Sequence, residues 1–180
     1  MTRLVRILTV LGLLGGAFLY LQHAEPAWWA KLWYPLPGQY RPIVVGHARN
    51  YELEPELLAA VIYQESKFHP DAKSRSGAIG LMQLQPATAK GIALHTGGNR
   101  FVVRDLYDPE INVRYGAWYL HHLLQKYHDE KLALAAYNAG QRNVDEWRAA
   151  DEGIGFPETR AYVKRVEHLK TIYRRAYFKS

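Results

Sequence analysis

The segment PELLAAVIYQES, residues 55–66, carries the pattern that most restricts what this chain can fold into. Its apolar residues recur at the spacing of an α-helix, so one side of that helix is apolar and must be covered by other parts of the protein. The residues that follow one another on this side are Leu57, Leu58, Val61, Ile62 and Glu65. The sequence therefore predicts a buried helix face that ends in a carboxylate.

Two interpretations of Glu65 follow from its position alone. A glutamate in the last turn of a helix is often half-exposed and paired with a nearby cation, here Lys67 or Arg75. If the apolar side instead faces the interior, desolvation disfavours the carboxylate and raises its pKa. A carboxyl group that keeps its proton near neutral pH can donate it to a leaving glycosidic oxygen. The first interpretation is structural, whereas the second makes Glu65 a catalytic acid.

The remainder of the chain predicts one helix after another. Helix boundaries are marked by proline, aspartate and glycine, namely Pro55, Pro86, Asp108, Pro109 and Gly140. The last helix carries an apolar stripe made of Tyr162, Val166, Leu169, Tyr173 and Tyr177. Only RFVVRDLY, residues 100–107, is a candidate strand. The predicted fold class is all-α, or α with a minimal β element, in one domain over residues 41–180.

The N-terminus predicts a signal-anchor over residues 1–22. Arg3 and Arg6 stand at its short N-terminal side, and the stretch from Leu4 to Leu21 would span about 27 Å as a helix, close to the thickness of a bilayer. Basic residues on that side predict that the rest of the chain lies outside the cytoplasm. The alternative is a cleaved signal peptide, which would also export the domain. Residues 23–40, rich in tryptophan and proline, are expected to form a juxtamembrane linker.

Composition and short motifs exclude several classes of function. The chain has no cysteine, so it has no disulfide and no thiolate metal site. The histidines, including the pair His121 and His122, show no metal-ligand spacing, so no metal or other cofactor is expected. The net charge of +6 suits an acidic polymer such as cell wall, lipid head groups or nucleic acid. The basic C-terminal segment YRRAYFK ends an amphipathic helix, so a nucleic-acid partner is not expected.

Three motifs in a fixed order resemble one family. They are ESKFHPDAKSRSGAIGLMQLQPATA at residues 65–89, AAYNAG at residues 135–140 and PETRAYV at residues 157–163. Together they resemble the lytic transglycosylases of the soluble murein type (SLT), which are lysozyme-like α domains that cleave bacterial peptidoglycan. The resemblance extends from about Pro42 to Tyr173. It implies a lysozyme-like domain behind the N-terminal transmembrane or signal-anchor helix.

The resemblance also implies roles for individual residues. It places the single catalytic acid on Glu65 and an assisting serine on Ser74, with Ser76 as the alternative. The other residues that it implies for substrate binding are Gly80, Leu81, Met82, Gln83, Tyr137, Asn138 and Glu158. The chain departs from the family pattern at Gln85, where methionine is common, and this affects the lining of one sugar subsite.

The chemistry of these residue types agrees with such a site. Gly77 and Gly80 would let a sugar ring approach the main chain, because they carry no Cβ. Tyr137 has a hydroxyl that can hydrogen-bond the carboxyl of Glu65 or the substrate, and Asn138 can both donate and accept.

The number of acids predicts the type of reaction. Hydrolysis by the usual scheme needs a second carboxylate, and between Glu65 and Asp105 the only other acid is Asp71, in a Pro-Asp turn. With one acid, Glu65 must protonate the leaving oxygen and then deprotonate the muramoyl C6 hydroxyl. The predicted activity is therefore lytic cleavage of the MurNAc-GlcNAc β-1,4 bond, which leaves 1,6-anhydromuramoyl ends.

Two alternatives to this activity remain open. One is a muramidase-type hydrolase of the same fold, and the other is a non-catalytic wall-binding component of an envelope-spanning assembly. In each case the expected partners are peptidoglycan glycan strands and, through the N-terminal helix, the bacterial inner membrane, with the domain in the periplasm. The sequence does not identify a protein partner.

Overall fold

The structure is a computed structural model that describes residues 27–179. The predicted signal-anchor at residues 1–22 lies outside the described residues. One compact unit ends at Pro35 and contains helix α1, Ala27–Trp33, which falls within the predicted linker. A second unit begins at Leu36. No helix among the described residues has both the length and the hydropathy needed to cross a membrane.

The second unit is helical, which confirms the predicted all-α class. Its α-helices are α2 (Arg41–Asn50), α3 (Pro55–Ser66), α4 (Pro86–His95), α5 (Pro109–Tyr127), α6 (Glu130–Ala139), α7 (Gln141–Ala149) and α8 (Pro157–Tyr173). A 3₁₀ helix, Val103–Tyr107, precedes α5, and a π-helical turn, Arg174–Phe178, follows α8. Isolated β-bridges join Lys73 to Ile79 and Ile79 to Leu84, so the β pairing lies in the segment that joins α3 to α4.

The candidate strand at residues 100–107 is wrong, because its chain closes into a tight turn. The backbone N–H of Asp105 donates to the carbonyl of Val102 at 2.9 Å. In return the Asp105 carboxylate accepts from the backbone N–H of Val102, also at 2.9 Å. These reciprocal bonds favour the 3₁₀ helix over an extended strand, as side chains of this type commonly do at turns.

The helix boundaries predicted from individual residues are confirmed. Helices α3, α4 and α5 begin at Pro55, Pro86 and Pro109, and α6 ends immediately before Gly140. The Asp108 carboxylate accepts two backbone N–H groups of the first turn of α5, so it is the N-cap of that helix.

Helix α3 packs chiefly against α8. Its apolar residues Leu57, Leu58, Val61 and Ile62 are at most 2% exposed, which confirms the predicted buried face. Helix α8 presents its stripe to this core, and Val166 and Tyr173 are fully buried. Because Glu65 continues the buried face of α3, the α3–α8 packing brings it to the edge of the core.

A buried asparagine fastens the loop at residues 67–85 between α3 and α4. Asn112 lies in α5 and is fully buried. Its Oδ1 accepts from the backbone N–H of Met82 at 2.7 Å. Its Nδ2 donates to the carbonyls of Ile79 at 2.9 Å and of Leu106 at 2.8 Å. One side chain therefore satisfies three backbone groups and ties the loop to the segment before α5.

Replacing Asn112 with alanine should loosen this loop. We expect Asn112→Ala to lower the free energy of unfolding by about 3 kcal/mol, because one buried N–H and two buried carbonyls lose their partner. Urea unfolding followed by circular dichroism measures the change. Asn99→Ala, at an exposed asparagine, is the control and should stay within about 0.5 kcal/mol of the parent. An Asn112→Ala variant as stable as the control would contradict this account.

Candidate active site

Glu65 combines partial exposure with a desolvated environment. It sits one residue before the end of α3, beside the buried residues Ile62 and Ser66. Burial raises the pKa of Glu65 from 4.5 to about 7, and the hydrogen bond from Tyr162 and the charge of Lys67 act in the opposite direction without cancelling it. Near neutral pH the carboxyl group is therefore divided between its protonated and its ionised form.

The hydroxyl of Tyr162 holds one oxygen of this carboxyl group. It donates to Glu65 Oε1 at 2.6 Å from α8. Tyr162 is 3% exposed. Burial raises the pKa of its own hydroxyl, and the neighbouring carboxylate raises it further, so Tyr162 keeps the proton that it donates. The bond fixes the orientation of the carboxyl group relative to α8.

Of the two partners predicted for the Tyr137 hydroxyl, the Glu65 carboxyl group and the substrate, the first is not its partner in this structure. The Tyr137 hydroxyl donates to the carbonyl of Met82 at 2.8 Å instead. It still lies close enough to Glu65 for the carboxylate, after burial, to raise the pKa of Tyr137. The position of Tyr162 in an apolar stripe predicts only packing, because that pattern does not reveal where the hydroxyl points.

The chain reverses direction directly after Glu65. Lys67 ends α3 in the left-handed conformation with φ 53°, and Phe68 follows with φ 62°. The Ser66 hydroxyl donates to the carbonyl of Leu81 at 2.8 Å. The end of α3 is thus joined to the returning loop, and the two together form the wall around Glu65.

A cleft of about 620 Å³ lies in front of Glu65, and we call it the acid cleft. Its lining residues include Glu65, Lys67, His69, Asp71, Lys73, Ser74 and Gln83. The structure therefore brings together Glu65, Ser74 and Gln83, which were predicted to share a site. Asp71 also lines this cleft, from the exposed turn that the sequence predicts for it.

The two candidate serines differ in position. Ser74 is half-buried, and its hydroxyl accepts from the backbone N–H of Ala78 at 3.0 Å and lies 2.9 Å from that of Ser76. Ser76 is exposed and accepts from Gln85 Nε2 at 3.3 Å. Ser74 thus lies on the acid cleft, with Ser76 and Gln85 as its supporting neighbours.

The segment Gly80-Leu81-Met82 contributes to the site through its backbone. The side chains of Leu81 and Met82 are fully buried. A Cβ on Gly80 would lie 2.2 Å from Asn112 Nδ2 and 2.3 Å from the carbonyl oxygen of Leu106, at a φ of +81°. The expectation that a sugar ring approaches the main chain at Gly80 is therefore corrected, because the protein interior already fills that space.

Gln83, which follows this segment directly, is a lining residue of the cleft. Its backbone has a φ of 48°, which is uncommon for a residue with a side chain. Its Nε2 donates to the carbonyls of Ala72 at 3.1 Å and of Gly80 at 2.9 Å, which closes the loop on itself. The Gln83 side chain thus stabilises the loop conformation, and the residue forms part of the cleft wall.

A second cavity of about 260 Å³ adjoins the acid cleft, and we call it the Asn138 cavity. Gln83 lines both, so the two cavities meet at this residue. The rest of the Asn138 cavity includes Gln85, Thr88, Tyr119, Tyr137 and Asn138.

The N-terminal end of α8 reaches this cavity through Thr159. The Thr159 hydroxyl donates to Asn138 Oδ1 at 2.9 Å. Thr159 is 2% exposed, whereas its neighbour Glu158 is exposed in the first turn of α8. In the first turn of α8, Thr159 rather than Glu158 therefore contacts the predicted site, and no sequence pattern selects it.

Comparison with known proteins identifies the family. Residues 43–156 match the transglycosylase SLT domain. The chain belongs to this family. The likeness covers α3, the loop with Gln83 and the segment with Tyr137, so it includes every cavity residue named above.

Relatives of this SLT chain are larger proteins. The soluble lytic murein transglycosylase of Salmonella typhimurium is 34% identical over 165 residues, which are 80% of this chain and 25% of the relative. The membrane-bound lytic murein transglycosylase F of Yersinia enterocolitica is 38% identical over 133 residues, 69% of this chain and 25% of the relative. The chain thus spans about a quarter of the length of these relatives.

Solved structures confirm the lysozyme-like SLT fold. The 70 kDa soluble lytic transglycosylase of Escherichia coli superposes with a TM-score of 0.75 at 31% identity, over 81% of this chain and 25% of that one. A complex of the 70 kDa soluble lytic transglycosylase with bulgecin A superposes with the same TM-score and identity. An inactive glutamate-to-glutamine mutant of the lytic transglycosylase Slt of Pseudomonas aeruginosa superposes with a TM-score of 0.72 at 32% identity, over 94% of this chain and 29% of that one.

Metal ligands are not grouped in the described part of this SLT domain. Across residues 27–179, no three side chains of histidine, cysteine, aspartate or glutamate lie together in a way that could hold an ion.

The raised pKa of Glu65 predicts a pH-dependent stability. The folded-state pKa, about 7, exceeds the ordinary value of 4.5, so the contribution of Glu65 to folding is complete below that lower value and is lost as the pH rises through 7. We expect Glu65→Gln to match the parent at acidic pH and to exceed its free energy of unfolding by up to about 3 kcal/mol in alkaline solution. Urea unfolding across this range measures the difference.

Glu152→Gln is the matched control for this prediction. Glu152 is exposed, so its substitution should change the free energy of unfolding by less than about 0.5 kcal/mol at every pH. A Glu65→Gln difference that stays constant with pH would show that the carboxyl group is not desolvated as described.

Proposed function

We propose that this chain is a peptidoglycan lytic transglycosylase that cleaves the MurNAc-GlcNAc β-1,4 bond and leaves 1,6-anhydromuramoyl ends. The observation that carries the proposal is Glu65, a carboxyl group with a pKa of about 7 that opens onto the acid cleft. An acid of this kind matches the task of a general acid at neutral pH. Membership of the SLT family and the names of the relatives support the same reaction.

In the first step Glu65 acts as the acid. Tyr162 occupies Oε1, so Oε2 is available to give its proton to the glycosidic oxygen. The bond between the muramoyl C1 and that oxygen breaks, and the leaving sugar takes the proton as a hydroxyl group. The N-acetyl group of the muramoyl residue stabilises the positive charge that develops at C1.

In the second step Glu65 acts as the base. The carboxylate, stabilised by the hydrogen bond from Tyr162, accepts the proton of the muramoyl C6 hydroxyl. The C6 oxygen forms the new bond to C1, which closes the anhydro ring and returns Glu65 to its protonated form. No water is consumed. Ser74 is the neighbouring hydroxyl that can hydrogen-bond the substrate. Its oxygen accepts from the Ala78 N–H, and a hydroxyl group can donate as well as accept.

A muramidase-type hydrolase is the second candidate, and Asp71 is the observation that favours it. Asp71 lines the acid cleft together with Glu65. A second carboxylate in the same cleft could activate water or attack C1, and the product would then carry a reducing end. The wall-binding alternative has no comparable support, because binding alone needs no desolvated acid.

We further propose that the domain acts in the periplasm, held at the inner membrane by residues 1–22. The basic and apolar pattern of that segment supports this location, and one relative in the family is named as membrane-bound. Its direct partner is the peptidoglycan glycan strand.

Product analysis tests the reaction. The 180-residue chain is incubated with peptidoglycan sacculi, and the released muropeptides are measured by mass spectrometry. We expect anhydro ends, which are one water lighter than hydrolysed ends, and a loss of about a thousandfold in rate for Glu65→Gln. Asp71→Asn is the matched comparison, and it should keep both the rate and the anhydro product. Reducing ends, lost in Asp71→Asn, would establish the hydrolase instead.

Tyr162→Phe tests the hydrogen bond to the acid. Because this bond lowers the pKa of Glu65, its loss should raise that pKa further above about 7. Activity that needs the protonated acid falls as the pH rises through the pKa, so the falling limb of the kcat/KM profile should move to higher pH. Turbidity loss of sacculi, measured across pH, gives the profile.

Tyr137→Phe serves as the control for this shift. The Tyr137 hydroxyl contacts the Met82 carbonyl rather than the carboxyl group of Glu65. The falling limb of the Tyr137→Phe profile should therefore have the same midpoint as that of the parent, even where the rate is lower. If the limb of Tyr162→Phe also stayed in place, the bond would not control the protonation of Glu65.

A further inference from the structure

A cavity of about 420 Å³ lies between the loop that follows α4 and the N-terminal part of α5. We call it the Arg114 cavity. It shares no lining residue with the acid cleft or with the Asn138 cavity. Its charged and aromatic lining residues are Arg100, Phe101, Asp105, Arg114 and Tyr115. The reaction proposed for Glu65 uses none of them, so this group of side chains is free for another task.

Two guanidinium groups of the cavity have no carboxylate partner within the protein. Arg100 and Arg114 are exposed, and neither forms an ion pair within residues 27–179. Glu110, one turn before Arg114 on α5, contacts His47 Nε2 at 2.7 Å instead. The Arg114 guanidinium lies 5.2 Å from the centroid of the Tyr115 ring, a contact that restrains its position. The two arginines can therefore bind a carboxylate.

The hydroxyl of Tyr115 is a third donor at this cavity. Tyr115 is 2% exposed, and the Phe101 ring packs on it with 5.2 Å between centroids. A Cβ on Gly98 would lie 2.5 Å from the hydroxyl oxygen, so the hydroxyl points to the loop that lines the cavity. It forms no hydrogen bond with the described residues, and its oxygen is not fully enclosed. Because a buried hydroxyl normally has a partner, this donor is available to a ligand.

Asp105 adds a negative charge to the same lining. Its Oδ2 accepts from the backbone N–H of Val102 at 2.9 Å, whereas its Oδ1 has no hydrogen-bond partner within residues 27–179. This carboxylate repels a phosphate dianion, and it can accept a hydrogen bond from an ammonium group. The side chains of Phe101 and Ile111 give the cavity apolar surface for the carbon atoms of an organic ligand.

We propose that the Arg114 cavity binds the amino-acid end of a peptide, a carbon that carries both a carboxylate and an ammonium group. Arg100, Arg114 and the Tyr115 hydroxyl donate to the carboxylate. Asp105 accepts from the ammonium group. The peptidoglycan stem peptide offers such an end at a diaminopimelate residue that is not cross-linked. This choice of source rests on the proposed function, whereas the zwitterionic chemistry of the cavity does not.

Calorimetric titration of the 180-residue chain tests the site. The probe is the sugar-free peptide L-Ala-D-Glu-meso-diaminopimelate. Two altered probes are compared with it. In one, the ammonium group of the diaminopimelate side chain is acetylated, which imitates a cross-link, and in the other the carboxylate on the same carbon is amidated. We expect each alteration to weaken binding about tenfold, because each removes one charged partner from a hydrogen bond.

Two conservative variants separate ligand binding from folding. Tyr115→Phe keeps the ring and removes a hydroxyl that has no partner in the protein, so it should lose about tenfold in affinity without a change in stability. Asp105→Asn keeps an oxygen for the Val102 N–H. It should weaken binding of the parent peptide and leave binding of the acetylated peptide unchanged.

Arg114→Gln has a matched control in Arg104→Gln. Arg104 is exposed and does not line the cavity. We expect Arg114→Gln to weaken the peptide about tenfold and to bind the amidated peptide as the parent does, because the lost donor no longer has a carboxylate to meet. Arg104→Gln should keep the parent's affinity for all three probes.

The remaining outcomes overturn the proposal. Equal affinities for the three probes, or no binding of any of them, would show that the cavity does not recognise a zwitterion. Inorganic phosphate that binds more tightly than the peptide would assign the arginines to a simple anion. Cleavage of sacculi is measured in parallel: cleavage without peptide binding removes only this site, whereas peptide binding without cleavage keeps the site and removes the proposed function.

Discussion

The packing of α3 on α8 is the contact on which the site depends, because it desolvates Glu65 and also supplies the hydrogen bond that moderates the effect. Burial alone raises the pKa of Glu65, and the Tyr162 bond lowers it again to about 7. The remaining cost of ionising Glu65 is up to about 3 kcal/mol, against a typical net stability of about 5–15 kcal/mol for a whole domain. The apolar residues of the α3–α8 core must outweigh this cost, so part of the stability that their burial provides is offset by the buried acid.

The loop after α3 presents a different problem, since it must bring polar backbone close to a buried acid without leaving groups unsatisfied. The buried Asn112 side chain satisfies three backbone groups by hydrogen bonds, and the Ser66 hydroxyl joins the same loop to the end of α3. With these bonds in place, Gln83 can hold a left-handed backbone conformation while it lines the cleft. The loop is therefore positioned by buried polar contacts, and its exposed residues are left for substrate.

Sequence patterns predicted the features that depend on a single helix, such as its buried face and its ends. Spacing placed Glu65 on the buried face of α3, and proline and glycine marked the helix ends. The pairing of Tyr162 with Glu65 was missed, because residues 97 apart meet only when α3 and α8 pack. Asn112 gave a usable signal, since it lies at helical spacing before Gly116 and Leu120, the same pattern of a polar residue on an apolar face that selected Glu65. The turn at Asp105 depends on a local hydrogen bond that strand propensity does not represent.

Charged side chains are distributed unevenly between the acid cleft and the Asn138 cavity. Lys67, Lys73 and Asp71 line the acid cleft, whereas the lining of the Asn138 cavity contains amides, hydroxyls and aromatic rings without a lysine, arginine or carboxylate. Screening by salt weakens contacts between charges and leaves aromatic packing unaffected. Under the proposed function, the uncharged sugar rings of the strand would therefore be held by packing away from Glu65. The charged groups are concentrated where a proton must move and where ionic surroundings can alter the pKa of the acid.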